Sequence, residues 1–283
     1  MEPLREELIL QHVRAALAED VGTGDVTTVA TIPPDATSTA RMVAREPMSI
    51  AGLDLAAAAF RQLAPNIVIQ FSARDGQRIG AGGVLLTVSG SVRAILTGER
   101  IALNFVQRLS GVATLTAQFV EAVRFTHTRI LDTRKTTPGW RDLEKYAVAC
   151  GGGQNHRFGL WDMVLIKDNH LVALRDAKPN AIAAAVNRAR QYSPQLKVEV
   201  EADTLDQVAQ AVDAGADIVL LDNMRLDQLR AAVAFVDGRA KTEASGGVTL
   251  QTVRGIAETG VDFISAGAIT HSARAVDIGL DFQ

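Results

Sequence analysis

Residues 129–170 read RILDTRKTTPGWRDLEKYAVACGGGQNHRFGLWDMVLIKDNH. Two short apolar runs within it, RIL and MVLI, have the length and residue types of strands. Each stops at charge: Asp132, Thr133, Arg134 and Lys135 after the first, Lys167 and Asp168 after the second. Between them, Trp140 to Cys150 sets Leu143, Tyr146 and Ala147 at helical spacing. The glycines of the following GGGQNHR allow close approach of the backbone to a ligand or another strand. Strand, polar end, helix and strand form the unit of a βα-barrel, which gathers its chemistry at the C-terminal ends of its strands. So many cations in one unit call for an anionic client.

The same unit repeats toward the C-terminus. KVEVE, DIVLL, KTEA and DFIS read as strands, separated by the helical segments AIAAAVNRARQY, LDQVAQAVDAG, LDQLRAAVAFV and LQTVRGIAETG. Most of these helices end in glycine or a polar turn, as helix C-termini should. Right-handed crossovers bring the C-terminal ends of parallel strands to one face. That face would therefore carry Thr133, Arg134, Lys135, Lys167, Glu201, Asp222, Ser245-Gly246-Gly247 and Ala266-Gly267-Ala268.

Upstream the pattern is different. Glu6 to Leu17 is an amphipathic helix that stops at Gly22 and Gly24. The GxG there has no strand before it, so it reads as a turn and not as a phosphate loop. TARMVARE alternates as a strand, Leu53 to Leu63 is an alanine-rich helix, and residues 66–96 form short strands between glycine turns. Their DGxxIxxGxxLLTVxG spacing is reminiscent of lipoyl-carrier domains, without an acceptor lysine. Thr97 to Val123 is helical, with Ile101, Phe105 and Leu109 on one stripe and Gly111 as the expected break between two helices. The expected organisation is an α/β protein: an N-terminal α+β sandwich domain over 1–112, a TIM-like βα-barrel over 113–270, and a tail, 271–283, packing back on the first domain.

The chain has 283 residues, 47% of them hydrophobic and 22% charged, enough to build a large core. A net charge of −3 argues against a general nucleic-acid or membrane surface, so anion binding must come from a local cation cluster. One cysteine, Cys150, has no disulfide partner and reads as a packing residue, and with no signal-like or long apolar segment a cytoplasmic location is expected.

Small-residue turns after the last barrel strands, SGG and AGA, suit a phosphate bound by backbone N–H groups. Glu201 and Asp222, at neighbouring strand ends, suit a shared Mg²⁺, which favours carboxylates and substrate phosphates. Taken singly, Asp222 could equally be a helix cap or a solvated acid. Arg134, Lys135, His156, Arg157 and Lys167 are left for a second, strongly anionic ligand. Alone, His156 could be a satisfied structural histidine and Arg100 a solvated charge on a helix face. Flanked by Asn155 and Arg157, His156 reads better as a donor to ligand oxygens.

EDVGTGDVTT, GERIALNFVQRLSG, LDTRKTTPGW, GGGQNHR, LIKDNH, VEVEADT, VLLDN, EASGGV and ISAGAIT together resemble the quinolinate phosphoribosyltransferase family over nearly the whole chain. KTTPG, GGGxNHR and IKDNH in that order are far more specific than any one alone. The resemblance implies a type II phosphoribosyltransferase barrel that joins quinolinate to 5-phosphoribosyl 1-diphosphate with loss of CO₂ and diphosphate. It implies that Arg100, Arg134, His156, Arg157 and Lys167 bind the quinolinate carboxylates, and that Lys135 lies near both substrates. Thr133 joins this set as a binding residue. Glu201 and Asp222 would hold Mg²⁺ and the ribose hydroxyls, while Ser245 to Gly247 and Ala266 to Ala268 would cradle the 5-phosphate. Lys135, Glu201 and Asp222 form the catalytic set. No organic cofactor is implied, and a homodimer with shared sites is. Two rivals stand beside this reading: Lys167 as a Schiff-base lysine, which requires a desolvated amine, and a diverged relative that only binds an anion.

Overall fold

The structure is a computed structural model and describes residues 2–283. Two compact units divide the chain. The first comprises residues up to Ala117 with Asp142–Gly152 and Ala273–Gln283, and the second comprises Gln118–Arg141 and Gly153–Ser272.

In the first unit α1 (Glu6–Val21), α2 (Val26–Thr31), β1 (Thr37–Ala44), β2 (Met48–Ser49), α3 (Leu53–Leu63), β3 (Val68–Phe71), β4 (Arg78–Ile79) and β5 (Val84–Ser91) follow in order. Then comes α4 (Val92–Ala122). Leu55, Ala56, Ala59 and Phe60 form the buried stripe of α3, at the spacing that makes a helix face. Between Thr97 and Val123 the expected break at Gly111 does not occur, and α4 runs through it as one helix. A Cβ at Gly111 would meet the Arg274 carbonyl oxygen at 2.0 Å, so this glycine permits close packing against the C-terminal segment and ends nothing. That segment ends in β12 (Ile278–Phe282), antiparallel to β1 in the sheet order β12-β1-β5-β3. The helix read between Trp140 and Cys150 is α5 (Arg141–Cys150), and most of it groups here, with Leu143, Ala147 and Val148 buried.

The second unit is a parallel βα array: β6 (Arg129–Leu131), β7 (Val164–Ile166), α6 (Asp168–Ala173), α7 (Ala181–Tyr192), β8 (Val198–Ala202), α8 (Leu205–Asp213), β9 (Ile218–Asp222), α9 (Leu226–Val236), β10 (Lys241–Ser245), α10 (Val253–Ala257), β11 (Phe263–Ser265) and α11 (Ala268–His271). Its sheet order is β6-β11-β10-β9-β8-β7. Gln154 adds an isolated parallel bridge to Leu131 on the free side of β6. Sequence explains the helices. Asn180 caps α7 by accepting the Ala183 N–H, and Thr204 and Gln207 form a reciprocal capping box at α8. Leu229, Ala232 and Val236 bury one face of α9, and side chains the size of leucine and valine contribute about 1.5–3 kcal/mol each when fully buried.

The sheet is curled into a barrel. His156, two residues beyond the bridge outside β6, has Nε2 3.0 Å from Glu199 on β8 and 3.6 Å from Glu243 on β10. In a flat sheet β8 would lie roughly 24 Å away, at strand spacings of about 4.8 Å. Among the described residues, no helix is long and apolar enough to cross a membrane.

Candidate active site

Side chains of a strand alternate, so the charged ends of these strands send every second residue inward. Leu165 and Lys167, Leu220 and Asp222, Glu243 and Ser245 all line one cleft of about 440 Å³ in the second unit, a volume suited to a small ligand. The cleft also takes in Thr133, Arg134, Lys135, His156, Arg157, Glu201, Asn223, Gly246, Gly247 and Ser265. Of the residues expected to bind substrate, Arg100, Ala266, Gly267 and Ala268 are absent from this lining. Arg100 is exposed on α4 in the first unit. The AGA turn instead supports Lys135: a Cβ on Gly267 would stand 3.0 Å from Lys135 Cδ, and the Thr270 hydroxyl donates to the Lys135 carbonyl at 2.8 Å.

The anion-facing side is held from behind. Asp132, fully buried, accepts the His156 backbone N–H at 2.8 Å and the Asn155 amide at 2.7 Å. Arg141 ties two loops together, donating to Thr136 Oγ1 at 3.1 Å and to the Phe158 carbonyl at 2.9 Å. Arg157 donates to the Met163 carbonyl at 3.2 Å, and its guanidinium is held below its ordinary pKa by burial and by the neighbouring Arg134. Arg134 Nε is buried and has no hydrogen-bond partner. Like-charged guanidiniums beside an unused donor are stabilised by an anion that supplies acceptors.

Across the cleft, Glu201, Asp203 and Asp222 each bring a carboxylate oxygen within 4.8 Å of the others. Burial first raises Glu201 and Asp222 above the usual carboxylate range; at Glu201 Lys167 opposes the shift and the charge of Asp222 adds to it, while at Asp222 the charge of Asp203 adds to it and the Asn223 hydrogen bond opposes it. A self-repelling set of hard oxygen donors fits Mg²⁺. Asp203 was missed in the sequence because it stands one residue past β8, where it reads as part of a helix entry. Lys167 Nζ is 4.0 Å from Glu201, and its side chain is 50% exposed, which is not the dry surrounding a Schiff-base lysine needs. The Ser245-Gly246-Gly247 turn has φ of +95° at Gly246 and +58° at Gly247, and a Cβ on Gly246 would strike Asn223 Oδ1 at 2.1 Å. Only glycine allows this turn its close approach.

Two sequence profiles match, Quinolinate phosphoribosyl transferase N-terminal domain over residues 25–110 and C-terminal domain over 112–281. The chain belongs to the quinolinate phosphoribosyltransferase family. It is 44% identical to the nicotinate-nucleotide pyrophosphorylase [carboxylating] of Mycobacterium leprae, with 95% of each chain covered. A probable nicotinate-nucleotide pyrophosphorylase [carboxylating] of Bacillus subtilis is 40% identical over 99% of this chain and 94% of its own. The solved nicotinate-nucleotide pyrophosphorylase of Francisella tularensis superposes with a TM-score of 0.93 at 43% identity, covering 99% of this chain and 98% of that one. Membership of the quinolinate phosphoribosyltransferase family accounts for a cleft with cations on one side and acids on the other.

Proposed function

We propose that this cleft joins quinolinate to 5-phosphoribosyl 1-diphosphate, releasing CO₂ and diphosphate and yielding nicotinate mononucleotide for NAD synthesis. The observation that carries this reading is the opposition of Arg134, Lys135, Arg157 and Lys167 to the Glu201, Asp203 and Asp222 set within one cleft.

The pyridine nitrogen is itself a nucleophile, so no side chain is required to activate it. Arg134 and Arg157 grip the two carboxylates and aim the ring at the ribose C1, and positioning of this kind supplies much of the rate. As the C1–O bond to diphosphate breaks, Lys135 and Lys167 offset the charge gathering on the leaving group. Glu201 and Asp222, joined by Asp203, would hold Mg²⁺, which when bound neutralises phosphate oxygens. The C–N bond forms and makes a pyridinium, which accepts the electron pair when the carboxylate next to the nitrogen leaves as CO₂. A proton from solvent then fills that ring position. Ser245, Gly246 and Gly247 offer the 5-phosphate their backbone N–H groups, with Ala266 to Ala268 behind Lys135. The exposure of Arg100 on α4 supports an assembly in which it serves a second copy's cleft, making a homodimer with shared sites.

The test is to supply quinolinate, 5-phosphoribosyl 1-diphosphate and Mg²⁺ and follow CO₂ and nicotinate mononucleotide. Nicotinate, lacking one carboxylate, leaves the half-buried arginines with a partner missing, at a cost of about 2–5 kcal/mol, and should not turn over. Equal use of nicotinate would overturn this reading.

A further inference from the structure

Beneath the cations lie two acids that phosphoribosyl transfer does not use. Glu199 and Glu243 are 0% and 1% exposed, and both stand against the ring of His156. One oxygen from each and a ring nitrogen of His156 lie within 4.8 Å of one another. Two buried carboxylates this close repel each other when both are ionised, and burial weakens the solvation that would hold the second negative charge.

His156 could relieve the pair in three ways: as an imidazolium, as a metal ligand together with both acids, or as a neutral ring giving one N–H. Its Nδ1 decides between them. That atom accepts the Arg157 backbone N–H at 2.7 Å, so it carries no hydrogen. The ring hydrogen is therefore on Nε2, 3.0 Å from Glu199 and 3.6 Å from Glu243. An imidazolium would place a hydrogen on Nδ1 and break the bond to Arg157. A metal on Nε2 would require that nitrogen to lose its hydrogen while Nδ1 stays an acceptor.

We propose that Glu243 stands protonated against Glu199 and acts as a positioning residue, keeping His156 a neutral Nε2–H ring and so keeping Arg157 aimed at the dicarboxylate substrate. This rests on the reading of the cleft as a quinolinate site. Burial first, and then the charge of Glu199, pushes the Glu243 carboxyl well above its ordinary range, against the opposing pull of His156 and a hydrogen bond from Ser265. The groups that face it are Glu199 from β8, His156 from the segment after the bridge, and Ser265 from β11, with the Arg134 and Arg157 charges beyond. When Glu243 loses its hydrogen at alkaline pH, a second negative charge appears under the cleft. That charge repels the dicarboxylate substrate and draws the Arg157 guanidinium, already in the field of Glu199, toward the acids.

Three measurements test this. Infrared difference spectra of the ligand-free protein at neutral pH should show a buried carboxylic acid band that fades with alkaline titration and is missing in Glu243→Gln. The KM for quinolinate of the wild-type protein should rise about tenfold between about pH 6 and pH 9, the size expected for one added charge in partly screened surroundings. In Glu243→Gln that pH-dependent rise should vanish, while the course of the KM for 5-phosphoribosyl 1-diphosphate is the same in both proteins. Thermal stability gives the third readout. A carboxyl whose folded pKa is raised favours folding below its unfolded pKa and loses that advantage as pH climbs to the folded value. The melting temperature of Glu243→Gln should accordingly gain on wild type as pH rises. A wild-type protein with no carboxylic acid band, or a variant that keeps the band or the same rise in KM, overturns the proposal. Absence of any quinolinate turnover by the wild type would instead overturn the substrate reading, and the band would still decide the state of Glu243.

Discussion

Asp132 accepts the backbone N–H of His156 at 2.8 Å, across 24 residues of sequence. Its other oxygen takes the Asn155 amide, so one buried carboxylate at the end of β6 fixes the segment that carries His156 and Arg157. Asp132→Asn keeps the shape but turns one acceptor into a donor that faces a donor. A loss of about 1–3 kcal/mol in denaturant unfolding is expected, with a raised KM for quinolinate. Unchanged values for both would mean that the clasp contributes nothing.

Arg134→Lys keeps the charge and loses the planar fork. The buried, unpartnered Nε disappears with it. Quinolinate KM should rise at least about tenfold with the melting temperature nearly unchanged, since a bidentate charged contact is worth about 1.5–3 kcal/mol. Steady-state kinetics on the two proteins decides it.

Removing one charge from the acid set should abolish turnover and spare the fold. Glu201→Gln and Asp222→Asn should each lower kcat by more than about a hundredfold at limiting Mg²⁺, and Asp203→Asn by less, because Asp203 is the exposed member. Calorimetric titration with Mg²⁺ in the presence of 5-phosphoribosyl 1-diphosphate gives the independent readout. Full activity in either of the first two variants takes that acid out of the metal site.

Arg100→Ala and Lys167→Ala should each be nearly inactive and should complement each other. In a mixed dimer with shared sites, one cleft receives Arg100 from one copy and keeps Lys167 from the other. Random exchange in an equal mixture makes about half the dimers mixed and restores roughly a quarter of wild-type activity. If no activity returns after verified exchange, each copy uses its own Arg100.

Gly111→Ala should be costly although alanine favours a helix interior by about 1 kcal/mol. The new Cβ meets a backbone oxygen, Arg274 O, at 2.0 Å, and neither the helix nor that backbone can move away cheaply. A net loss of about 1–3 kcal/mol is expected, with helical circular dichroism retained. A neutral or stabilising result would show that the C-terminal segment gives way.

Much of this was legible where local pattern and tertiary demand agree. Helices α7 and α9 fall on the residues that their apolar spacing gave, because their caps and stripes are local. Gly111 was misread because its role is set by Arg274, far along the chain, and nothing in LSGVAT distinguishes a packing glycine from a breaking one. Glu199 and Glu243 were overlooked although a signal existed. VEVEA alternates valine with glutamate, and in a strand whose both faces are covered the glutamates must point into the barrel as pairs. Glu201 is marked by its place at the strand end, whereas Glu199, two residues earlier on the same face, has no such mark. Asp203 and Ser265 show the complementary failure: each belongs to the site through geometry that no spacing rule encodes.

The pairing of β12 with β1 sets an order of events for a growing chain. β1 has β5 on one side within some fifty residues, but its other edge stays open until residue 282 has left the ribosome. Throughout synthesis of the barrel, that edge carries unpaired N–H and C=O groups of the kind that recruits strands from neighbouring nascent chains. Translation in which downstream residues arrive slowly would lengthen this exposure, so the tail acts as the molecule's own protection against a partner it should not meet.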